Sequence, residues 1–411
     1  MEIRQYDPSR DREAVQRIWR EVGWLEDEKG HREGLGHFTE CGKAFVADIR
    51  GSAECLVLTA PGSVRYLDED LPMSCVTAVT TGRIARKQGF AGKMTAHAVA
   101  VDAAEGAAVS SLGMFEQGYY NRLGFGTGVS EHMIAFDPGS LCVGKKANVP
   151  VRLGREDWER MHASRRARLR GHGSCSIDAA AFTRAAALWT KNGFGLGYID
   201  ESSGELTHHF WCWSGEGEWG PLRVEWMAYR TWDQFLELMA LLQGLGDQIK
   251  LVRMLEPQGI QVQDLISMPF HQNKTTRKGE METGNRAIAF WQMRICDLHK
   301  CLEKTRLRGG EARFNLRLED PVTRYLDGGS PWGGIGGEYV VTLGESSGAE
   351  EGREETLPTL ETTVGAFTRL WLGVKPATGL AVTDDLRGDA ALLDQLDSLL
   401  RLPEPHPDWP F

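Results

Sequence analysis

The run Cys75-Val76-Thr77-Ala78-Val79-Thr80-Thr81 is rich in β-branched residues and passes through Gly82 into a basic, glycine-bearing stretch, Arg86-Lys87-Gln88-Gly89-Phe90-Ala91. Small residues there let a ligand approach the backbone, free amides at a helix start bind anionic oxygens, and basic side chains add charge complementarity. The pattern has the physical design of a pyrophosphate cradle; the competing reading is a basic turn before a helix. Further along, Gly118-Tyr119-Tyr120-Asn121-Arg122-Leu123-Gly124-Phe125-Gly126 places two phenols ahead of a glycine turn.

Other chemistry is weakly signalled. His172 and the pair His208-His209 have no Cys, Asp or Glu at ligand spacing, so no metal is expected. The eight cysteines are scattered without a Cys-x-x-Cys pair and read as reduced, mostly buried thiols. Gly193–Gly197 and Gly333–Gly337 do not join a strand to a helix and read as loop or hairpin. Arg165-Arg166-Ala167-Arg168-Leu169-Arg170 lacks interleaved aromatics and reads as a solvated helix face or a subunit contact. Phe210-Trp211-Cys212-Trp213 and Trp226 read as core or interface.

The elements that must position the cradle alternate between strand and helix. Ile3–Tyr6 reads as a strand, followed by a helix capped from Ser9-Arg10-Asp11 with Val15, Ile18, Trp19 and Val22 at helical spacing. Strands are expected at Ala44–Ile49, Glu54–Thr59, Val64–Leu67 and Ser74–Thr81, the last two around a Leu71-Pro72 turn, with a helix over Phe90–Ala104 and a β-rich run over Ala107–Leu112. The order returns after Val149: a short strand, a basic helix over Arg155–Arg170, strands at Gly195–Ile199, Leu206–Trp213 and Leu222–Tyr229, a helix over Trp232–Leu245 and a strand at Ile249–Leu255. This echo implies a duplicated fold whose second copy lacks the glycine-basic loop. From about Ala287, strands at Phe290–Ile295, Ala312–Leu318 and Gly337–Leu343 are expected in one sheet, with Glu345–Glu355 an exposed loop and helices at Val364–Leu372 and Ala390–Leu400.

With 411 residues, two to four domains of roughly 100–200 residues are expected. Apolar residues at 41% and charged residues at 25% describe an ordinary globular chain. The net charge of −10 speaks against nucleic acid as partner and suits a cationic or neutral one. Neither a secretory leader nor an apolar run long enough to span a membrane is readable, so a cytoplasmic protein without membrane partners is expected.

The Arg86-x-x-Gly89-x-Ala91 core after a valine-rich strand resembles the acetyl-CoA signature of the GNAT N-acetyltransferase superfamily, and Tyr120-x-x-x-Gly124-Phe125 resembles its closing motif. A wider resemblance, carried in the last region by Phe290–Ile295, Leu370–Thr378 and Pro410-Phe411, is to the Eis (enhanced intracellular survival) acetyltransferases. It implies an α+β chain of tandem GNAT folds: a catalytic domain over 1–146, a degenerate copy over 147–285, and a sterol-carrier-protein-like α+β domain over 286–411.

The resemblance further implies acetyl-CoA as donor, with Arg86, Lys87, Gln88, Gly89 and Ala91 at its phosphates and the Val79 and Thr81 backbone along its pantetheine arm, the Val79 amide near the thioester oxygen. Tyr120, with Tyr119 as alternative, would be the general acid, and the α-carboxylate of Phe411 the base. Trp24 and Glu26, beside Asp27, would line the acceptor site, although a solvated helix end explains those acids equally well. Pro410, not an acid, precedes Phe411, and Asp408 is the nearest acid. The acceptor implied is the primary amine of a small cationic compound (aminoglycoside, polyamine or lysine-like), acetylated by direct attack in a ternary complex of a homohexameric enzyme. A non-catalytic acyl-CoA or lipid-binding module is the alternative reading, and an acyltransferase of longer chains a third.

Overall fold

A computed structural model describes residues 2–26, 29–215 and 219–411. The strand-and-helix echo is present as two sheets with one plan. In the first sheet the strand order is Glu2–Gln5, Lys43–Ile49, Ser52–Tyr66, Glu69–Thr81, Val109–Gly113, Trp291–Ile295 and Gly126–Thr127, with Cys175–Ile177 pairing on Ser52–Tyr66. The second runs Val151–Leu153, Gly193–Ile199, Leu206–Ser214, Leu222–Ala228, Val252–Leu255, Glu131–Phe136 and Gly284–Ile288. Both are antiparallel except for one parallel pair at the same place in the order, Glu69–Thr81 with Val109–Gly113 and Leu222–Ala228 with Val252–Leu255. The sixth strand of each sheet comes from outside that sheet's own stretch of chain: Trp291–Ile295, which follows the second copy, enters the first sheet, and Glu131–Phe136, from the first copy, enters the second. Phe290–Ile295 therefore does not join the C-terminal sheet, as the sequence reading has it.

That C-terminal sheet has the order Gly348–Glu351, Gly337–Leu343, Ala312–Glu319, Thr359–Thr363 and Leu386–Arg387. The expected loop over 345–355 contains its edge strand. Helices Val364–Trp371 and Ala390–Leu399 pack on it with buried Val364, Phe367, Leu392 and Leu396. Tyr66 of the first sheet stacks on Trp371 with centroids 4.3 Å apart and donates its hydroxyl hydrogen to the Trp371 carbonyl at 3.0 Å. One apolar core accordingly runs from Val15 to Trp409.

Local chemistry moves several expected boundaries. The first helix, Pro8–Glu21, is capped by Asp7, which accepts from the Ser9 amide, while Asp11 is buried and takes two bonds from Arg4 at 2.6 and 2.8 Å. The hairpin turns at Leu67-Asp68, with Leu67 left-handed at φ 51°, not at Leu71-Pro72. The basic helix stops at Arg166. The helices Lys29–Thr39 and Ala180–Trp189, and the shorter Gln117–Asn121, Pro269–Thr276, Leu298–Glu303 and Ala377–Thr383, are not expected from the sequence pattern.

Arg294, on the exchanged strand, and Asp320 are both fully buried and 2.7 Å apart. Arg294 also donates to the Leu123 carbonyl, and Asp320 accepts from the amides of Val322 and Ile335. The pair ties the exchanged strand to the loop that carries Tyr120. Removing one partner of a buried pair strands the other charge, so Asp320→Ala is expected to cost about 3–5 kcal/mol in urea unfolding; a loss below about 1 kcal/mol would show that the pair does not fasten this junction.

Candidate active site

The parallel pairing of Glu69–Thr81 with Val109–Gly113 ends at Val76 and Leu112, so the strand beyond Val76 has lost its parallel neighbour. On its other side, Leu56 faces Thr80 and Leu58 faces Thr77, which leaves Ala78 and Val79 opposite Val57 alone. This is a β-bulge, and Ala78 within it adopts a left-handed backbone, at φ 54°. Bulge and splayed pair together free main-chain groups around Val79 for a ligand. Val79 lines the adjoining cavity, while the half-buried Thr81 has its hydroxyl 3.3 Å from the Cys55 sulfur.

The strand leads through a short turn at Arg83–Ala85 to the helix Phe90–Ala104. Gly89 is its N-cap and offers no side chain to its first amides. Arg86, Lys87 and Gln88 stand exposed just before it, and Ala91 is half-buried in its first turn. In the second copy the equivalent helix, Trp232–Gly244, is closed by Thr231, whose hydroxyl accepts from the Gln234 amide. The open, cationic helix start belongs to the first copy alone.

The short helix Gln117–Asn121 carries both tyrosines, and Gly124 turns the chain after it at φ 80°; a Cβ there would come within 2.8 Å of Arg294 Nη1. Tyr120 is 2% exposed and lines the cavity beside Val79. Tyr119 is not among the lining residues: its hydroxyl is buried without a partner, near Gly92 and Tyr325. Burial raises the pKa of both phenols, which keeps Tyr120 protonated at neutral pH.

The cavity, about 960 Å³, is closed on one side by the C-terminal tail. A Cβ on Gly113 would meet a main-chain oxygen of Phe411 at 2.6 Å, so only glycine admits the tail this close to the strand end. Asp408 anchors the tail: it accepts from Arg168 Nε and Nη2 at 2.9 and 2.7 Å and from the Ser174 hydroxyl at 2.5 Å. Trp409 is buried beneath Arg165, whose guanidinium lies 3.8 Å from the ring centroid. Arg165 and Arg168 thus face inward, which corrects their reading as a solvated face.

The structure brings Val79, Tyr120, Trp24 and Phe411 to one cavity. Glu26 is exposed and outside its lining, and Asp27 lies outside the described residues. Phe182, Ala186 and Trp189, from an unread helix, join the wall; their i, i+4, i+7 spacing was the available signal. Among the described residues no group of three or more His, Cys, Asp or Glu could hold a metal ion, and no helix is long and apolar enough to cross a membrane.

This architecture, two sheets of one plan with a splayed, bulged parallel pair, is the fold of GCN5-related N-acetyltransferases. The chain superposes over 98% of its length on 97% of a probable N-acyltransferase of Enterococcus faecalis, at 17% identity and a TM-score of 0.76. It matches a GCN5-related N-acetyltransferase of Anabaena variabilis over 98% of both chains at 14% identity and TM-score 0.77. Eis1 of Mycobacterium abscessus matches over 100% of both chains at 14% identity and TM-score 0.76. At such identities the likeness is one of fold. No protein-family model and no curated protein sequence matches the chain.

Behind the tail, Glu131, Arg168, His406 and Asp408 line a second cavity of about 410 Å³. Burial, reinforced by the charge on Asp408, pushes the Glu131 carboxyl up to about 8. The His406 nitrogen is 3.7 Å away, too far for a hydrogen bond that would hold the carboxylate ionised. Unfolded, this carboxyl ionises near 4.5, so the stability its neutral form contributes is present at acid pH and lost as pH rises to about 8. Glu131→Gln is therefore expected to stabilise the protein by on the order of 2 kcal/mol at pH 8 and hardly at all at pH 4. Thermal unfolding at both pH values decides; an equal shift at both would contradict the assignment.

Proposed function

We propose that the protein is an acetyl-CoA-dependent N-acetyltransferase that acylates a primary amine by direct attack in a ternary complex. The observation that carries this reading is the meeting of Tyr120 and Phe411 in one cavity, against the bulged strand edge at Ala78 and Val79. The open helix start after Gly89 and the exposed Arg86 and Lys87 fit the pyrophosphate of the donor, with Gln88 and Ala91 alongside. The Val79 and Thr81 backbone fits its extended arm.

Each residue then has a task. The amine nitrogen bonds to the thioester carbonyl carbon as the carbon–sulfur bond breaks. Val79's amide stabilises charge on the carbonyl oxygen. Tyr120, a neutral phenol, gives its proton to the departing thiolate. A carboxylate with a pKa near 3.5 is too weak a base to deprotonate an ammonium of pKa near 10 outright, so the Phe411 carboxylate acts through water and by holding the cation. Trp24 packs on the acceptor, while the exposed position of Glu26 gives that residue no task inside. The segments 1–146, 147–285 and 286–411 act as catalytic domain, degenerate copy and sterol-carrier-like domain, the last delivering the tail, and the assembly is a cytoplasmic homohexamer. Light scattering tests the assembly: a hexamer's mass is expected, and a monomer would refute it.

Tyr120→Phe and deletion of Phe411 should each lower kcat by about 10–100-fold while leaving the affinity for CoA within about twofold, as measured by calorimetry. Gly113→Ala, which crowds that main-chain oxygen of Phe411, should act in the same direction. Unchanged turnover in the first two variants would overturn the mechanism. CoA binding without transfer to any amine would leave only an acyl-CoA-binding module.

A further inference from the structure

We infer that the acceptor is a monoamine with an aromatic or otherwise apolar body, not a polycation; this rests on the acetyltransferase reading above. The wall of the cavity consists largely of aromatic rings. Trp19 meets Trp24 edge-on with centroids 5.6 Å apart and lies 5.6 Å from Trp189, while Phe38 touches Trp189 at 4.9 Å and Phe182 at 5.2 Å. These rings all border the cavity and form a continuous face against which another aryl group gains area burial and edge-to-face contact.

The charges on the wall point the same way. Besides the Phe411 carboxylate, the charged lining residues among those described are Arg165, Lys191 and Glu225. Glu225 is already engaged: it accepts from Trp213 Nε1 at 2.7 Å and pairs with Arg223 at 3.2 Å. Arg165 is buried between Trp226 and Trp409 and pairs with no carboxylate among the described residues. Asp408, the acid beside the tail, is spent on Arg168 and Ser174, and Glu26 lies outside. Among the described residues, one carboxylate is left to receive one ammonium. A second or third ammonium, as in a polyamine or aminoglycoside, would be desolvated among rings or placed near Arg165 and Lys191, with no free counter-charge among the described residues.

The test compares 2-phenylethylamine with spermidine and kanamycin as acceptors of acetyl-CoA on the full-length protein, with quenching of tryptophan fluorescence by each amine alone as an independent measure of binding. Expected are a kcat/KM at least about tenfold higher for 2-phenylethylamine and quenching by that amine only. Lys191→Glu, at an exposed position, should raise kcat/KM for spermidine by about fivefold or more. Spermidine or kanamycin turned over as well as or better than 2-phenylethylamine, with no quenching by the aryl amine, would overturn the inference and leave the acetyltransferase reading intact. Quenching by 2-phenylethylamine with transfer to none of the amines would instead defeat the acetyltransferase reading while upholding the preference of the cavity.

Discussion

Asp408 and Arg168 face each other through two hydrogen bonds, and this charged pair is the central fastening of the tail that closes the cavity. Arg168 belongs to the second copy of the fold, Asp408 to the tail that leaves the C-terminal region, and Phe411 ends against Gly113 of the first sheet. Three parts of the chain thus meet at one point, where a charged contact joins residues 240 apart and the Ser174 hydroxyl and the Arg165–Trp409 stack add to it. Arg168 is also held by the Arg165 and Cys175 carbonyls and the Ser174 and Ser176 hydroxyls, so its cation is fully ligated before any substrate arrives. A guanidinium so satisfied acts as a rigid peg, where a lysine in the same place would act as a mobile point charge.

The duplication explains why the cavity lies where it does. Each copy splays one parallel pair of strands, and each sheet takes a strand beside that pair from outside its own stretch of chain. The exchange locks the copies together across the very edge where a sheet would otherwise end. In the first copy, a bulge and an open helix start line the resulting cleft. In the second copy the helix is closed by Thr231, and its neighbourhood has been given over to walls and anchors: Trp213 and Trp226 for the cavity, Arg165 and Arg168 for the tail.

Much of the first copy was legible because a helix start left open by Gly89, with Arg86 and Ala91 beside it, restricts residue type at close spacing, and because the glycine turn at Gly124 follows Tyr120 at a fixed distance. The sheet strands Gly193–Ile199, Leu206–Ser214, Leu222–Ala228 and Val252–Leu255 and the helix Trp232–Gly244 of the second copy were legible from periodicity, as was the existence of a duplication, while the helix Ala180–Trp189 was not. The strand exchange was not, since an apolar period places Trp291–Ile295 in a sheet without naming which sheet. The inward arginines were hidden for a related reason: what buries Arg168 is a residue 240 positions away. The helix Lys29–Thr39 escaped because Gly30, Gly34 and Gly36 weaken its pattern, and with it went the position of Phe38. Glu26 is close in sequence to the wall residue Trp24 but itself faces solvent.

The central claim is that the Asp408–Arg168 pair matters to turnover only by placing Phe411. A kinetic double-mutant cycle tests it directly, combining Asp408→Asn with deletion of Phe411 and measuring kcat at saturating acetyl-CoA. If the claim is right, Asp408→Asn lowers kcat in the full chain and has no further effect once Phe411 is gone. Losses that add in the double variant would show that Asp408 and Phe411 act independently, and would contradict the account.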